Sequence, residues 1–195
     1  MLSLELEGKV GVYEMEVVSK VKEQVKKTKE MIKGILEYAE LKASKGDTEH
    51  VDLNNIIESV KLAVDIPANI KFQIEDRLPI IQIEKVLIYQ IFQNLISNAV
   101  KYNDKTDGLI RVVCEKKQGA YLFSVSDNGI GIDDAYQSKI FEVFNTAEVK
   151  KGYDSSGIGL AIVKSIITEK GGSIWVESKK FEGSTFYFTL PIINQ

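Results

Sequence analysis

Asn94-Leu95-Ile96-Ser97-Asn98-Ala99-Val100-Lys101-Tyr102 closes the most strongly periodic stretch of this 195-residue chain. From Glu84 to Tyr102, Val86, Tyr89, Phe92, Leu95, Ile96 and Ala99 recur at helical spacing. That spacing predicts one amphipathic helix. Asn94, Asn98 and Lys101 follow at intervals of four and three, so they share a face that opposes much of the apolar stripe. Two amides and an ammonium projecting together offer oxygen ligands to a hard cation and positive charge to phosphate. Taken alone, such a face is more simply a solvated polar surface.

Two glycine-bearing stretches lie further along. Asp127-Asn128-Gly129-Ile130-Gly131-Ile132 directly follows a stretch that alternates as a strand. Closely spaced glycines let backbone approach a ligand. An Asp at a strand end can accept a hydrogen bond from an exocyclic amine, which adenine offers and guanine does not. By itself the motif is equally a turn capping a helix at Asp133 or Asp134. Ser155-Ser156-Gly157-Ile158-Gly159-Leu160 opens the next helix, where small residues expose backbone N–H groups to an anion. It is not a P-loop, because the Lys-Ser/Thr pair is missing. Nor is it a dinucleotide fingerprint, because the strand-turn-helix unit with its distal acid is absent.

Around these stretches the chain alternates helices and strands. Helices are predicted over Val51–Val64 with Asp52 as cap, over Asp133–Lys139, and over Ile158–Lys170 ending in Gly171-Gly172. Strands are predicted at Ile70–Ile74, Pro79–Ile83, Ile110–Glu115, Tyr121–Ser126, Ser173–Ser178 and Ser184–Leu190, with a polar turn at Lys116–Gly119. Val149–Ser156 reads as a mobile loop. The fold class is α+β: a two-layer sandwich whose mixed sheet is covered by helices on one face. In front of it, residues 14–46 carry Val18, Val21, Val25, Thr28, Ile32, Ile35 and Ala39 at alternating gaps of three and four. This is the seam of a long coiled-coil-like helix, an expected dimerisation surface. Gly34 inside it costs about 1 kcal/mol relative to Ala, and Lys45-Gly46-Asp47 is its stop. Residues 1–13 are a leader that the pattern leaves undecided.

Composition narrows the class. Hydrophobic residues make up 44% and charged residues 27% with 3 Pro, which excludes disordered and collagen-like chains. The one cysteine, Cys114, has no intrachain partner, so a reducing, cytoplasmic setting is the simple expectation. A net charge of −3 argues against a nucleic-acid partner. No apolar run approaches the roughly 18 residues a membrane span needs.

In series, the polar-faced helix, the strand with its glycine turn, the loop and the glycine-opened helix resemble the ATP-binding (Bergerat-type) domain of the gyrase, heat-shock chaperone, histidine kinase and mismatch-repair ATPase superfamily. Within that superfamily the match is close to the sensor histidine kinases. Asn94–Tyr102 resembles their N box and Asp127–Ile132 the G1 box. Ile140-Phe141-Glu142-Val143-Phe144 resembles the F box, and Gly157–Ala161 the G2 box. Gly171–Ser178 and Gly183–Phe186 are similar to the closing strands. The resemblance covers about Val51 to Pro191, and makes 51–195 the catalytic and ATP-binding domain. Residues 14–46 resemble the second helix of the dimerisation hairpin.

The resemblance implies roles. Asn94 and Lys101 are the catalytic pair, contacting phosphate, and Asn98 ligates Mg²⁺. Tyr102 packs near the adenine, Asp127 binds its amino group, and Gly129 and Gly131 shape the base pocket. Gly157, Gly159 and Leu160 present backbone amides to the phosphates and hinge a lid over Asn145–Ser156. Ile132, Phe144 and Ile158 complete the nucleotide contacts. It implies ATP and Mg²⁺ as cofactors, a homodimer through the N-terminal helix, and a response regulator receiver domain as partner.

Three departures stand out. The phosphoacceptor His, followed by an acid, is missing: His50, followed by Val51-Asp52, is instead a surface or packing residue. Without it, and without the acid that helps activate the nucleophile, this chain is expected not to phosphorylate itself. Ser155 stands where the second glycine box has its first Gly. An Arg after the F box is replaced near Asn145-Thr146; Lys150 or Lys151 is the nearest positive charge, though a lysine pair in a loop is more simply solvated. The readings are therefore a histidine kinase catalytic portion acting on a His outside this chain, or an ATP/ADP-binding dimerisation module without transfer. An ATP-hydrolysing or Ser/Thr-directed relative is disfavoured, because Gln90 and Gln93 stand where a water-activating carboxylate is wanted and Glu84 is too far down the helix.

Overall fold

The computed structural model describes residues 15–22, 24–25, 28–29, 32, 36, 47–142 and 157–192. In chain order the elements after residue 47 are β1 (Glu49–Asp52), α1 (Leu53–Val64), β2 (Ile70–Ile74), β3 (Ile80–Ile83), α2 (Lys85–Lys101), β4 (Gly108–Lys117), β5 (Ala120–Asp127), α3 (Asp134–Gln137), α4 (Gly159–Glu169), β6 (Ile174–Lys179) and β7 (Gly183–Pro191). Five strands form one mixed sheet in the order β2-β4-β5-β7-β6, and β1 pairs with β3 in a separate two-stranded sheet. Only β2 and β4 run parallel, with Ile70 opposite Gly108; the connection between them carries β3 and α2. A parallel pair needs such a crossover, whereas β4 and β5 need only the turn at Gln118-Gly119.

Residues alternate across the sheet. Ile110, Val112, Phe123, Val125, Phe186, Phe188 and Leu190 are buried on one face, where α1, α2 and α4 pack. The other face carries Arg111, Glu115 and a Trp175–Tyr187 pair stacked at 5.3 Å. The two-layer α+β sandwich expected from the sequence is the architecture found. Cys114 lies on the helix-covered face of β4, opposite Phe123 on β5. Burial pushes its thiol up to about 12, and the neighbouring Glu115 adds to the shift.

Local chemistry sets the element ends. Asp52 caps α1, its Oδ1 accepting from the Asn54 N–H at 2.9 Å. Asn54 in turn pairs with the Leu78 backbone, donating at 2.9 Å and accepting at 3.0 Å, which fastens α1 to the approach to β3. At the end of α4 the Gly171 N–H donates to Thr168 O at 3.0 Å and the Gly172 N–H to Ile167 O at 2.9 Å. These are the two bonds of a Schellman cap. Lys170 at that end bonds Glu84 before α2 at 2.6 Å, joining two helices across the layer.

Two details correct the sequence reading. Val51 lies in β1 rather than at the start of the helix, with His50 exposed and opposite Gln82. A four-residue strand of mixed polarity has no periodic signature; its partner β3 makes it a strand. On α2 the fully buried residues are Ile88, Ile91, Phe92, Leu95 and Ile96, while Val86 is 55% exposed. The stripe is centred on Ile88, Ile91 and Leu95, so the first turn of the helix overhangs the core.

Ahead of the domain, the described residues 15–22, 24, 25, 28, 29, 32 and 36 are helical. Val21, Val25 and Ile32 of the predicted seam are each more than half exposed. Ile35, Ala39, the Lys45-Gly46 stop and the leader over 1–13 lie outside the described residues. No helix among the described residues is long and apolar enough to cross a membrane.

Candidate functional site

The C-termini of α2 and β5 meet at one edge of the sandwich, and the N-terminus of α4 packs against Asn94, about two turns back along α2. Tyr102 ends α2, and its carbonyl accepts from the Ile130 N–H at 3.1 Å. This bond draws the turn after β5 against the helix end. Gly129 permits the approach, because a Cβ there would stand 2.3 Å from Tyr102 O. Gly131 adopts φ +65°, and a Cβ on it would lie 2.1 Å from Lys179 O. Both positions exclude any larger residue without backbone movement.

Asp127 occupies the last position of β5, paired with Ser184 of β7. Its Oδ1 accepts the Gly129 N–H at 2.8 Å, and the Ser184 N–H also donates to the carboxyl. Burial raises its pKa to about 6 despite those two donors. A folded pKa above the unfolded value adds stability below the unfolded pKa, and that stability is lost as pH rises through about 6. Binding to an amine donor runs the other way, since the ionised carboxylate is the stronger acceptor. Adenosine affinity, measured by calorimetry to avoid the titration of phosphates, is therefore expected to rise from about pH 5 to about pH 7 and then level off. A flat profile would remove Asp127 from the contact.

The polar face of α2 leads up to Tyr102, whose carbonyl lies by the Asp127 turn. Asn94, Asn98 and Lys101 are all half-buried. Asn94 donates through Nδ2 to Gln90 O at 2.9 Å, which turns its Oδ1 toward α4; a Cβ on Gly159 would be 2.5 Å from that oxygen. The Lys101 ammonium lies 5.6 Å from the centre of the Tyr102 ring. Gly157 and the buried Ile158 lead into α4, Gly159 is its first residue, and Leu160 packs at the edge of the core. Among the described residues no side chain caps that helix end. The unsatisfied first-turn N–H groups of a helix favour an anion there.

The structure thus brings Tyr102, Asp127 and Gly129 together and sets Asn94 against Gly159, while Phe144, Lys150, Lys151 and the Asn145–Ser156 segment lie outside the described residues. Of the expected F box, Ile140 is buried and Phe141 packs edge-on against Phe186 at 6.3 Å. Sequence reasoning missed the supports. Ile132 donates its N–H to Ser178 Oγ at 2.8 Å, and Ser178 Oγ lies 2.9 Å from Oγ of the buried Ser184. Asn103 and Asn128 bond to each other at 3.0 Å. Serines in alternating strands and asparagines in loops carry no signal that would have marked them.

Among the described residues no three His, Cys, Asp or Glu cluster as a metal site. A Mg²⁺ here would be held by the Asn98 amide oxygen, a hard neutral donor of the kind that ion accepts. The donor chemistry fits that ion, which commonly takes few protein ligands.

Residues 82–194 match the family described as histidine kinase-, DNA gyrase B- and HSP90-like ATPases. The chain is 34% identical over 172 residues to the phytochrome-like protein Cph1 of Synechocystis, an alignment covering 84% of this chain and 22% of Cph1. The catalytic domain of histidine kinase ThkA, solved without nucleotide, superposes with a TM-score of 0.62 at 28% identity, covering 74% of this chain and 95% of that one. Histidine kinase ThkA in complex with the response regulator TrrA gives a TM-score of 0.69 at 23% identity, covering 98% and 56%, a likeness of fold. The chain spans about a fifth of the length of Cph1. The matched residues include the α2 face, the Asp127 turn and the α4 N-terminus, so the chain belongs to the histidine kinase-, gyrase B- and HSP90-like ATPase family, on its histidine kinase branch.

Proposed function

We propose that this chain is the ATP-binding catalytic portion of a two-component sensor histidine kinase and transfers the γ-phosphoryl of ATP to a histidine outside this chain. The observation that carries the reading is the placement of the Asp127 turn beside Tyr102, with the Asn94–Asn98–Lys101 face leading up to Tyr102 and the α4 N-terminus packed against Asn94. Asp127 selects the base through its amino group, and Tyr102 flanks it. Lys101, Asn94 and the backbone of Gly157–Leu160 bind the phosphates. Mg²⁺ held by Asn98 would neutralise charge on the β- and γ-phosphates. In transfer, a histidine ring nitrogen bonds to the γ-phosphorus, the bond to the β,γ-bridging oxygen breaks, ADP leaves and the ring releases its proton. Positioning and charge supply most of the catalysis in such steps.

The exposed Val21, Val25 and Ile32 favour self-association through the N-terminal helix, giving a homodimer. The ThkA–TrrA complex supports a response regulator receiver domain as the downstream partner, and a cytoplasmic location follows from that role. The test mixes this chain with a kinase that retains its phosphoacceptor helix but cannot bind nucleotide, in the presence of labelled ATP and Mg²⁺. Label on histidine, absent with Asp127→Asn, is the expected result. Nucleotide binding without label would make the chain a binding and dimerisation module. Absence of adenine-nucleotide binding would overturn both.

A further inference from the structure

The Asp127 carboxyl is held by the turn that follows it, and the turn is itself held from behind. The Asn128 side chain makes three hydrogen bonds: Oδ1 accepts from the Leu109 N–H at 2.7 Å and from Asn103 Nδ2 at 3.0 Å, and Nδ2 donates to Asp107 O at 3.1 Å. Both acceptor positions of the amide oxygen are used. Its backbone N–H donates to Leu109 O at 3.3 Å, so Asn128 is tied to the start of β4 by main chain and side chain together. The next residue, Gly129, donates to Asp127, and the one after, Ile130, donates to Tyr102 O. Three consecutive residues after Asp127 are therefore fixed to three different parts of the fold.

Asn103 completes the arrangement from the helix side. It follows Tyr102, its N–H donates to Val100 O at 3.3 Å, and its Oδ1 accepts from the Lys105 N–H at 3.1 Å. The Asn103–Asn128 bond spans 25 positions and joins the end of α2, which carries Lys101 and Tyr102, to the turn that carries Asp127.

We propose that Asn128, braced by Asn103, is a positioning residue for base selection, setting the Asp127 carboxylate against the α2 end so that it meets the 6-amino group of an adenine nucleotide. This rests on the ATP-binding reading above. Asn128 does not touch the nucleotide; it acts through the Asp127–Gly129 turn. A staple that merely holds the 103–108 loop would affect folding, and hence the binding of every nucleotide alike. A positioning role affects the contact with the 6-amino group in particular.

The test compares ATP with purine riboside triphosphate, which lacks the 6-amino group, by calorimetry on the full chain. The wild type is expected to prefer ATP. In Asn128→Ala the ATP affinity falls about tenfold while the analogue falls less than about threefold, so the preference collapses. Asn103→Ala leaves Asn128 its two backbone partners and is expected to lose about threefold for ATP, with the preference narrowed in the same direction. Thermal melts of each variant establish the folded fraction, and Asn103→Ala decides the matter should Asn128→Ala not fold. Proportionate loss for both nucleotides, or unchanged affinities, would overturn the positioning role. A wild type with no preference for ATP would overturn the adenine reading itself.

Discussion

Asp127→Asn is expected to lower adenine-nucleotide affinity by about 10- to 100-fold while the domain stays folded. The fold gives the carboxylate two donors, the Gly129 N–H at 2.8 Å and the Ser184 N–H, and on the proposed reading the amino group of the base is a third. An amide has one acceptor oxygen and two N–H groups of its own. If the oxygen turns to the base, the amide nitrogen faces backbone donors; if it turns to the backbone, the nitrogen faces the base amine. Each donor left without an acceptor in an enclosed site costs about 1–3 kcal/mol, and at least one such conflict survives in either orientation. The affinity of the variant by calorimetry, with its melting curve alongside, is the measurement. Wild-type affinity would show that the base is read elsewhere.

The largest stability effect is expected at Phe92. It is fully buried and meets Phe123 edge-on at 5.9 Å and Phe188 at 5.7 Å, while those two rings stack on each other at 4.8 Å across β5 and β7. This cluster is where α2 is anchored to the sheet. Phe92→Ala removes the wedge between helix and strands and leaves a cavity lined by two rings held by their strand pairing. The expected loss is about 3–5 kcal/mol, a large part of the 5–15 kcal/mol that holds a typical domain folded. Phe92→Leu, which keeps most of the volume, is expected to cost under about 2 kcal/mol. Denaturant unfolding measures both, and a mild effect of the alanine variant would mean the helix is anchored elsewhere. Asn94 follows Phe92 by two positions on the same helix, so the packing of one face fixes the other's orientation toward α4.

The parts of this molecule visible in its sequence are those with a local physical cause. Alternation marked β2, β4, β5 and β7 because one sheet face is buried and the other is not. The stripe of α2 was legible from its spacing, although its axis was misplaced by Val86, which only contact with the rest of the core could correct. Asp52 was legible as a cap because capping is a one-turn interaction. β1 was not, since it exists only by pairing with β3, some thirty positions away. The glycines at 129 and 131 stood out as a motif, and the structure supplies their reason in the carbonyls of Tyr102 and Lys179. Asn103, Asn128, Ser178 and Ser184 were silent for the opposite cause: each matters through a partner that chain separation hides.

Cys114 offers an experimental handle of another kind. It is the sole thiol of the chain, set within the helix-covered layer and held protonated by burial. A thiol reagent attacks thiolate, so folded protein offers almost none at neutral pH and the unfolded chain offers an ordinary cysteine. Alkylation of this half-buried thiol then reports how closely its cover stays packed. Run with and without nucleotide, its rate gauges how far ligand at the strand ends tightens the interior of the sheet.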